Sequence, residues 1–252
     1  MNHTIEENDR VLILDPRGKK YLITVTNRVF HTNLGKLDIS ELIGKNYGDK
    51  IKSHMGKNFS ILKPNLIDYI YMMRKMPQTI NPDDACQIIA NTGISAGDTV
   101  VEAGAGSGAV TLLLSYTVFP GKVYSYDINE RFLKVAKENI DTYGKGNVEF
   151  KLKDIYEGID EKDVDLVSLD LPEPYRVVGH AYEALRAGGF IFSFSPCIEQ
   201  VIDFRREISK YDYTEVKSIE CIIREYEVKE KGTRPKTRML GHTGYMSFAR
   251  KA

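Results

Sequence analysis

A chain of 252 residues, 42% hydrophobic and 28% charged, carries enough apolar material for one large α/β domain, alone or with a small module, and has no run of about 18 apolar residues to span a membrane. Cys86, Cys197 and Cys221 are an odd set and the five histidines are scattered, which excludes a disulfide framework and a metal centre and predicts free thiols in a reducing cytoplasm; residues 1–10 are polar and lack the apolar core of a secretory leader. The formal net charge of zero argues against a nucleic-acid partner only until it is divided: residues 1–70 hold 11 Lys+Arg against 8 Asp+Glu, residues 71–216 hold 15 against 23, and residues 217–252 hold 9 against 4, so two basic ends flank an acidic middle.

In chain order, residues 11–14 and 20–25 read as β-strands around the turn Asp15-Pro16-Arg17-Gly18. Gly35, Gly44, Gly48 and Gly56 punctuate the next stretch, and residues 59–62 read as a closing strand before Pro64. Residues 65–73 read as a helix, with Leu66, Ile67, Ile70 and Met73 on one face, that Pro77 breaks. The pattern then alternates. Helices are predicted over residues 84–91, 109–116, 131–143, 177–186 and 199–209. Strands are predicted over 99–103, 122–127, 148–152, 164–170 and 189–194, and two more over 214–226 and 244–249. Regular β/α alternation means a mostly parallel sheet covered on both faces, with the last two strands forming an antiparallel edge. The expected architecture is a Rossmann-like domain of seven strands over residues 71–252, preceded by a small β module over residues 1–70.

Glu102-Ala103-Gly104-Ala105-Gly106-Ser107-Gly108 joins the first of these alternating strands to its helix. Glycines there let the backbone turn sharply and approach a ligand closely. Gly104, Gly106 and Ala109 also fit a loose dinucleotide fingerprint with Asp127 as the ribose acid, so a nicotinamide cofactor is one reading. Three acids favour S-adenosylmethionine instead. Glu102 stands two residues before the first glycine, where a carboxylate can face the cationic part of the ligand. Asp127 ends the second strand and can accept from both ribose hydroxyls. Asp154 comes after the third strand and can accept from the adenine amine while Ile155 packs on the ring. Acids after three successive strands converge on the crevice at the carboxyl edge of the sheet.

After the fourth strand comes Asp170-Leu171-Pro172-Glu173-Pro174-Tyr175. Two prolines stiffen the loop, and Tyr175 offers a stacking face. It is similar to the Asp/Asn-Pro-Pro-aromatic loop of methyltransferases acting on base nitrogens. A carboxylate at Asp170 can accept from an adenine N6 amine and face the positive charge that develops when N1 is methylated. N1 already has a lone pair, so no strong base is required.

The chain resembles the TrmI family, tRNA (adenine-N1)-methyltransferases of archaea and bacteria that modify the T-loop. Three stretches carry the resemblance: the run Arg74 to Asp84 (RKMPQTINPDD); the Glu102–Gly108 loop with Asp170-Leu171-Pro172-Glu173-Pro174; and, most specific, the tail Arg234 to Tyr245 (RPKTRMLGHTGY). The similarity covers nearly the whole chain. It implies S-adenosylmethionine as donor, adenine 58 of tRNA as target with adenine 57 added in some archaeal members, and a homotetramer. By motif match it implies that Gln78, Glu102, Gly104, Gly106, Ser107, Asp127 and Asp154 hold the donor and that Asp170 contacts the adenine. Asn81, Pro172, Tyr175 and His242 are further expected substrate contacts, and Lys231, Arg234, Lys236 and Arg238, on a hairpin over residues 229–238, are expected phosphate contacts. The chain departs from the family in Asn81 and Asp83, where the family usually has Tyr or His and Lys, and in Tyr175, where Trp is common. Two rival readings are a methyltransferase acting on a protein isoaspartyl residue or small molecule, which needs neither the basic tail nor the Pro-rich loop, and a non-catalytic tRNA-binding subunit, which is expected to lose Asp170 or the glycine loop.

Overall fold

A computed structural model describes residues 4–76 and 79–252. The chain divides into two compact units, residues 1–73 and 74–252.

In the first unit, β1 (Arg10–Leu14) and β2 (Lys20–Thr24) form a hairpin. The turn between them is closed by the buried carboxylate of Asp15, which accepts from the backbone N–H groups of Arg17 and Lys19. A second hairpin joins β3 (Val29–Thr32) to β4 (Gly35–Asp38), a pairing that the glycine spacing alone does not reveal. β5 (Lys50–Lys52) and β6 (Asn58–Leu62) complete a four-stranded antiparallel sheet in the order β2-β1-β6-β5. Val11, Ile13, Ile23, Ile51, Phe59 and Ile61 alternate inward and share a core with Leu37, Ile39 and Leu42. This is the small β module. α1 (Leu66–Met72) ends the unit, started by a reciprocal cap in which the Asn65 side chain accepts from the Asp68 backbone and the Asp68 carboxylate accepts from Asn65 N–H.

In the second unit, α2 (Pro82–Thr92) precedes β7 (Val100–Ala103), α3 (Ala109–Val118), β8 (Val123–Asp127), α4 (Glu130–Tyr143), β9 (Val148–Leu152) and β10 (Val164–Leu169). Next come α5 (Val178–Ala184), β11 (Leu185–Ser195), α6 (Ile198–Ile208), β12 (Tyr213–Glu220), the hairpin strands β13 (Tyr226–Lys229) and β14 (Gly232–Pro235), and β15 (Tyr245–Lys251). Seven of these strands form one sheet in the order β12-β15-β11-β10-β7-β8-β9. β9, β8, β7, β10 and β11 are parallel; β15 runs antiparallel to both β11 and β12. The strands at the centre, buried on both faces, are nearly continuous runs of apolar residues: Val100 and Val101 in β7, and Val164, Leu166, Val167 and Leu169 in β10, are all fully buried.

Two of the boundary differences have a packing cause. The helix expected to reach Arg186 stops at Ala184, because Leu185 is drawn into the sheet, pairs with Val164 and is buried; β11 then passes a register shift before its regular pairing begins. The strand expected over residues 214–226 ends at Glu220. Past it Ile222 and Ile223 are exposed, so no sheet burial rewards continuing the strand, and the chain leaves to form the β13–β14 hairpin. No helix among the described residues is long and apolar enough to cross a membrane.

Candidate active site

Consecutive strands run outward from β7 in opposite directions: β8 and β9 to one side, β10 and β11 to the other. The loops leaving their carboxyl ends part at this switch point, where open α/β sheets bind ligands. A cleft of about 600 Å³ lies there, lined by Gly104 and Gly106 from β7, Asp127, Ile128 and Phe132 from β8 and α4, and Lys153 to Tyr156 from β9; β10 adds Asp170 to Glu173, and Pro196 and Gln200 complete it.

The glycine loop is built by a close approach. Gly104 has φ +92°, and a Cβ on it would stand 2.2 Å from the Asp170 carbonyl oxygen. The loops after β7 and β10 are also tied by a 2.9 Å bond from Asp170 N–H to the Ala103 carbonyl. Asp127 accepts from Asn129 N–H at 2.8 Å and from Gly106 N–H at 3.3 Å, so its carboxylate is already aimed across the glycine loop. Asp154 accepts from Tyr156 N–H at 2.9 Å, starting a single helical turn that buries Ile155.

The sequence-derived residues separate into those brought together and those held elsewhere. Gly104, Gly106, Asp127, Asp154, Ile155, Asp170 and Pro172 share the cleft. Glu102 does not line it. Its carboxylate is buried beneath the loop and accepts from the Thr111 hydroxyl at 2.6 Å and the Ser125 hydroxyl at 2.8 Å, and burial pushes its pKa up to about 7. Ser107 is likewise buried, with its hydroxyl 3.1 Å from that of Thr79 and its carbonyl accepting from the Asn139 amide. Gln78 lies outside the described residues. Asn81 caps α2, accepting from Asp84 N–H and donating to the Asp84 carboxylate, and does not reach the cleft. Tyr175 also lies outside the cleft lining, and its hydroxyl donates to Glu173 at 2.9 Å.

The tail differs too. The hairpin spans Tyr226–Pro235, offset by three residues from expectation at each end, so Lys231 sits in its turn and Lys236 and Arg238 lie beyond it. Lys236 pairs with Glu225, and Arg234 lies 3.6 Å from Glu227. The His242 ring nitrogens both have protein partners: Nδ1 is 2.5 Å from Glu220 Oε1 and Nε2 is 3.0 Å from the Pro196 carbonyl.

Several cleft residues escape the sequence reading. Phe132, Tyr126 and Tyr156 supply apolar walls, and Gln200 reaches from α6 to donate to the Pro172 carbonyl at 2.8 Å, clamping the Pro-rich loop. Their only sequence signal is proximity to Asp127, Asp154 and the strand ends. Asp170 carries the most telling electrostatics. Burial raises its pKa to about 6, so it is ionised at neutral pH at the cost of desolvation and is receptive to a hydrogen-bond donor or a cation. Among the described residues, no group of three or more His, Cys, Asp or Glu side chains could hold a metal.

Residues 63–234 match the family described as the tRNA methyltransferase complex GCD14 subunit. The chain is 40% identical to the tRNA (adenine(57)-N(1)/adenine(58)-N(1))-methyltransferase TrmI of Methanocaldococcus jannaschii, covering 95% of this chain and 94% of that one. It is 30% identical to the tRNA (adenine(58)-N(1))-methyltransferase TrmI of Thermus thermophilus, covering 96% of each. Among solved structures, a Thermotoga maritima protein described as a SAM-dependent O-methyltransferase superposes with a TM-score of 0.92 at 34% identity over 99% of this chain and 95% of that one. TrmI of Aquifex aeolicus, a tRNA (m1A58) methyltransferase, superposes with a TM-score of 0.84 at 27% identity over 99% of both. The fold is therefore that of the class I S-adenosylmethionine-dependent methyltransferases.

Proposed function

The chain belongs to the GCD14 family of tRNA methyltransferase subunits, and from that premise we propose that it is a tRNA (adenine-N1)-methyltransferase acting at adenine 58 of the T-loop, with adenine 57 the second position that the test below reads. The observation that carries the reading is Asp170, a half-buried carboxylate with its pKa raised to about 6, in one cleft with Asp127 and Asp154.

The residues present fit S-adenosylmethionine. The Gly104 approach leaves no room for a side chain, the cleft has the size of a cofactor site, and its acids suit a ligand rich in hydroxyl and amino donors. When bound, the donor supplies an electrophilic methyl group on a sulfonium. Gly104 and Gly106 would let the backbone approach it; Asp127 would accept from its ribose hydroxyls and Asp154 from its adenine amine, with Ile155 and Phe132 as apolar walls. Glu102 acts from beneath, bracing the loop through Thr111 and Ser125, and Ser107 does so through Asn139.

The target adenine must leave its folded tRNA context to enter the cleft. Asp170 would then accept from N6 and orient the N1 lone pair; the donor would supply the methyl group, its sulfonium–carbon bond breaking as the N1–carbon bond forms and the positive charge passing to the adenine. The same carboxylate faces the cation that forms, so its contact strengthens toward the transition state. Pro172, stiffened by the Gln200 clamp, borders the base. Lys231, Arg234, Lys236 and Arg238 contact phosphates, with the ion pairs to Glu225 and Glu227 opening as they do so. A cytoplasmic homotetramer is proposed on resemblance, with the N-terminal module of one subunit and the hairpin of another gripping one tRNA.

The test is nucleoside mass spectrometry of unmodified tRNA incubated with the protein and labelled donor. N1-methyladenosine at position 58, with or without 57, is expected. Label on a hydroxyl, on protein or on no product would overturn the reading.

A further inference from the structure

His242 is carried on a tightly seated stretch of tail. At Gly244 the backbone lies so close to the Phe194 ring that a Cβ there would stand 2.3 Å from it, and the His242 ring packs on Tyr245 at 4.8 Å between centroids. Its two ring nitrogens face two different acceptors. The Pro196 carbonyl can only accept, so Nε2 carries a proton; the Glu220 carboxylate also accepts, so Nδ1 carries one as well. The ring bound this way is an imidazolium. Pro196 lines the cleft with Asp170, Pro172 and Gln200, on the side formed by β10 and β11. Gln200 holds the neighbouring wall by donating to Pro172 and accepting from Cys197 N–H at 3.4 Å.

We propose that His242 is a positioning residue: as a cation bridging Glu220 and the Pro196 carbonyl, it fixes residues 195–197 as the wall facing Asp170 and so sets the orientation of the acceptor base. The kinetic part of this inference rests on the methyltransferase reading above; the loop anchoring does not. Loss of one ring proton turns one nitrogen into an acceptor facing an acceptor, and one of the two bonds fails. The charged groups facing the ring are Glu220 at the end of β12 and the buried Asp84 of α2, both acidic. The hydrogen bond to Glu220, then that to Pro196, raise the pKa of His242 above its ordinary 6.5. With the folded value raised, the anchor is complete at low pH and is lost as pH rises through that raised value.

Two measurements test this. The first tracks kcat and KM for tRNA against pH in the wild type, His242→Gln and Glu220→Gln. The wild type should lose activity on an alkaline limb above pH 6.5. His242→Gln cannot titrate and should lack that limb, with kcat lowered about 10–100-fold, the scale of a displaced reacting group, and KM and donor affinity nearly unchanged. Glu220→Gln should move the limb to lower pH, toward the acid limb set by Asp170, and so narrow the pH range of full activity. The second reads hydrogen-exchange protection of the Ser195 and Cys197 amides, Pro196 having none, without tRNA; it should fall through the same pH in the wild type only. An alkaline limb retained in His242→Gln, an unmoved limb in Glu220→Gln, or protection independent of pH in the wild type would overturn the proposal. A wild type that shows the pH-dependent protection but methylates no tRNA would count against the functional reading and leave the anchor standing.

Discussion

At the scale of single residues, two carboxylates with raised pKa values, the half-buried Asp170 and the buried Glu102, lead to opposite expectations. Asp170 borders the cleft and is needed charged. Asp170→Ala should lower kcat about 10²–10³-fold, the scale for losing one preorganised electrostatic partner, with donor affinity little changed. Asp170→Asn keeps an acceptor oxygen for N6 without the charge, so a near wild-type rate would show that orientation suffices and the electrostatic role is wrong. Because protonation removes the useful form, wild-type kcat/KM should fall as pH drops through about 6. Glu102 lies beneath the loop and is costly when charged. Its folded pKa of about 7 exceeds the unfolded 4.5, so the folded state binds the extra proton between those values. Stability therefore declines as pH rises from 4.5 to about 7 and stays lowered above it. Glu102→Gln removes that charge; it should stabilise the protein by about 2–3 kcal/mol at pH 8 and by much less at pH 5, read from denaturant midpoints. Equal effects at both pH values would mean that the carboxyl does not titrate as described.

At the scale of elements, the approach of the loops after β7 and β10 makes Gly104 the least replaceable residue of the site. Gly104→Ala must push the Asp170 backbone away in addition to straining a positive φ. Calorimetry should show donor binding weakened at least tenfold, and thermal unfolding a lower midpoint; unchanged donor affinity would show that the loop tolerates the displacement. The same elements explain how far the sequence is legible. Alternation of apolar strands and amphipathic helices identifies all seven strands of the large sheet, and the acids at strand ends mark Asp127, Asp154 and Asp170, because strand ends and switch points arise from local pattern. Motif position does not say which way a side chain turns. Asn81 and Tyr175 stand at motif positions where the chain departs from the family and His242 at one where it matches, and each is bonded to a neighbour: Asp84, Glu173, and Glu220 with Pro196. Gln200 is invisible in the sequence for the converse reason, since its partner Pro172 is 28 residues away.

At the scale of the whole molecule, the zero net charge conceals the basic tail. Replacing Lys231, Arg234, Lys236 and Arg238 by Ala should weaken tRNA binding and flatten its salt dependence while sparing donor binding. Because Arg234 and Lys236 already face Glu227 and Glu225, the salt slope should fall by less than four phosphate contacts would give. Normal tRNA affinity in the quadruple variant would make the hairpin a solvated surface. Light scattering that reports a monomer would remove the cross-subunit grip. The position of β15 has a different consequence, for synthesis. β15 is the last strand of the sheet in chain order, yet it is an interior strand, wedged between β11 and β12. A nascent chain that has already made β12 has nowhere to dock it, and the Phe190, Phe192 and Phe194 edge of β11 stays uncovered until residues 245–251 emerge from the ribosome. Cooperative closure of this domain thus waits for residues 245–251, and ribosome-bound chains stalled before β15 is exposed should be readily cut by protease and held by chaperones that recognise apolar strand edges.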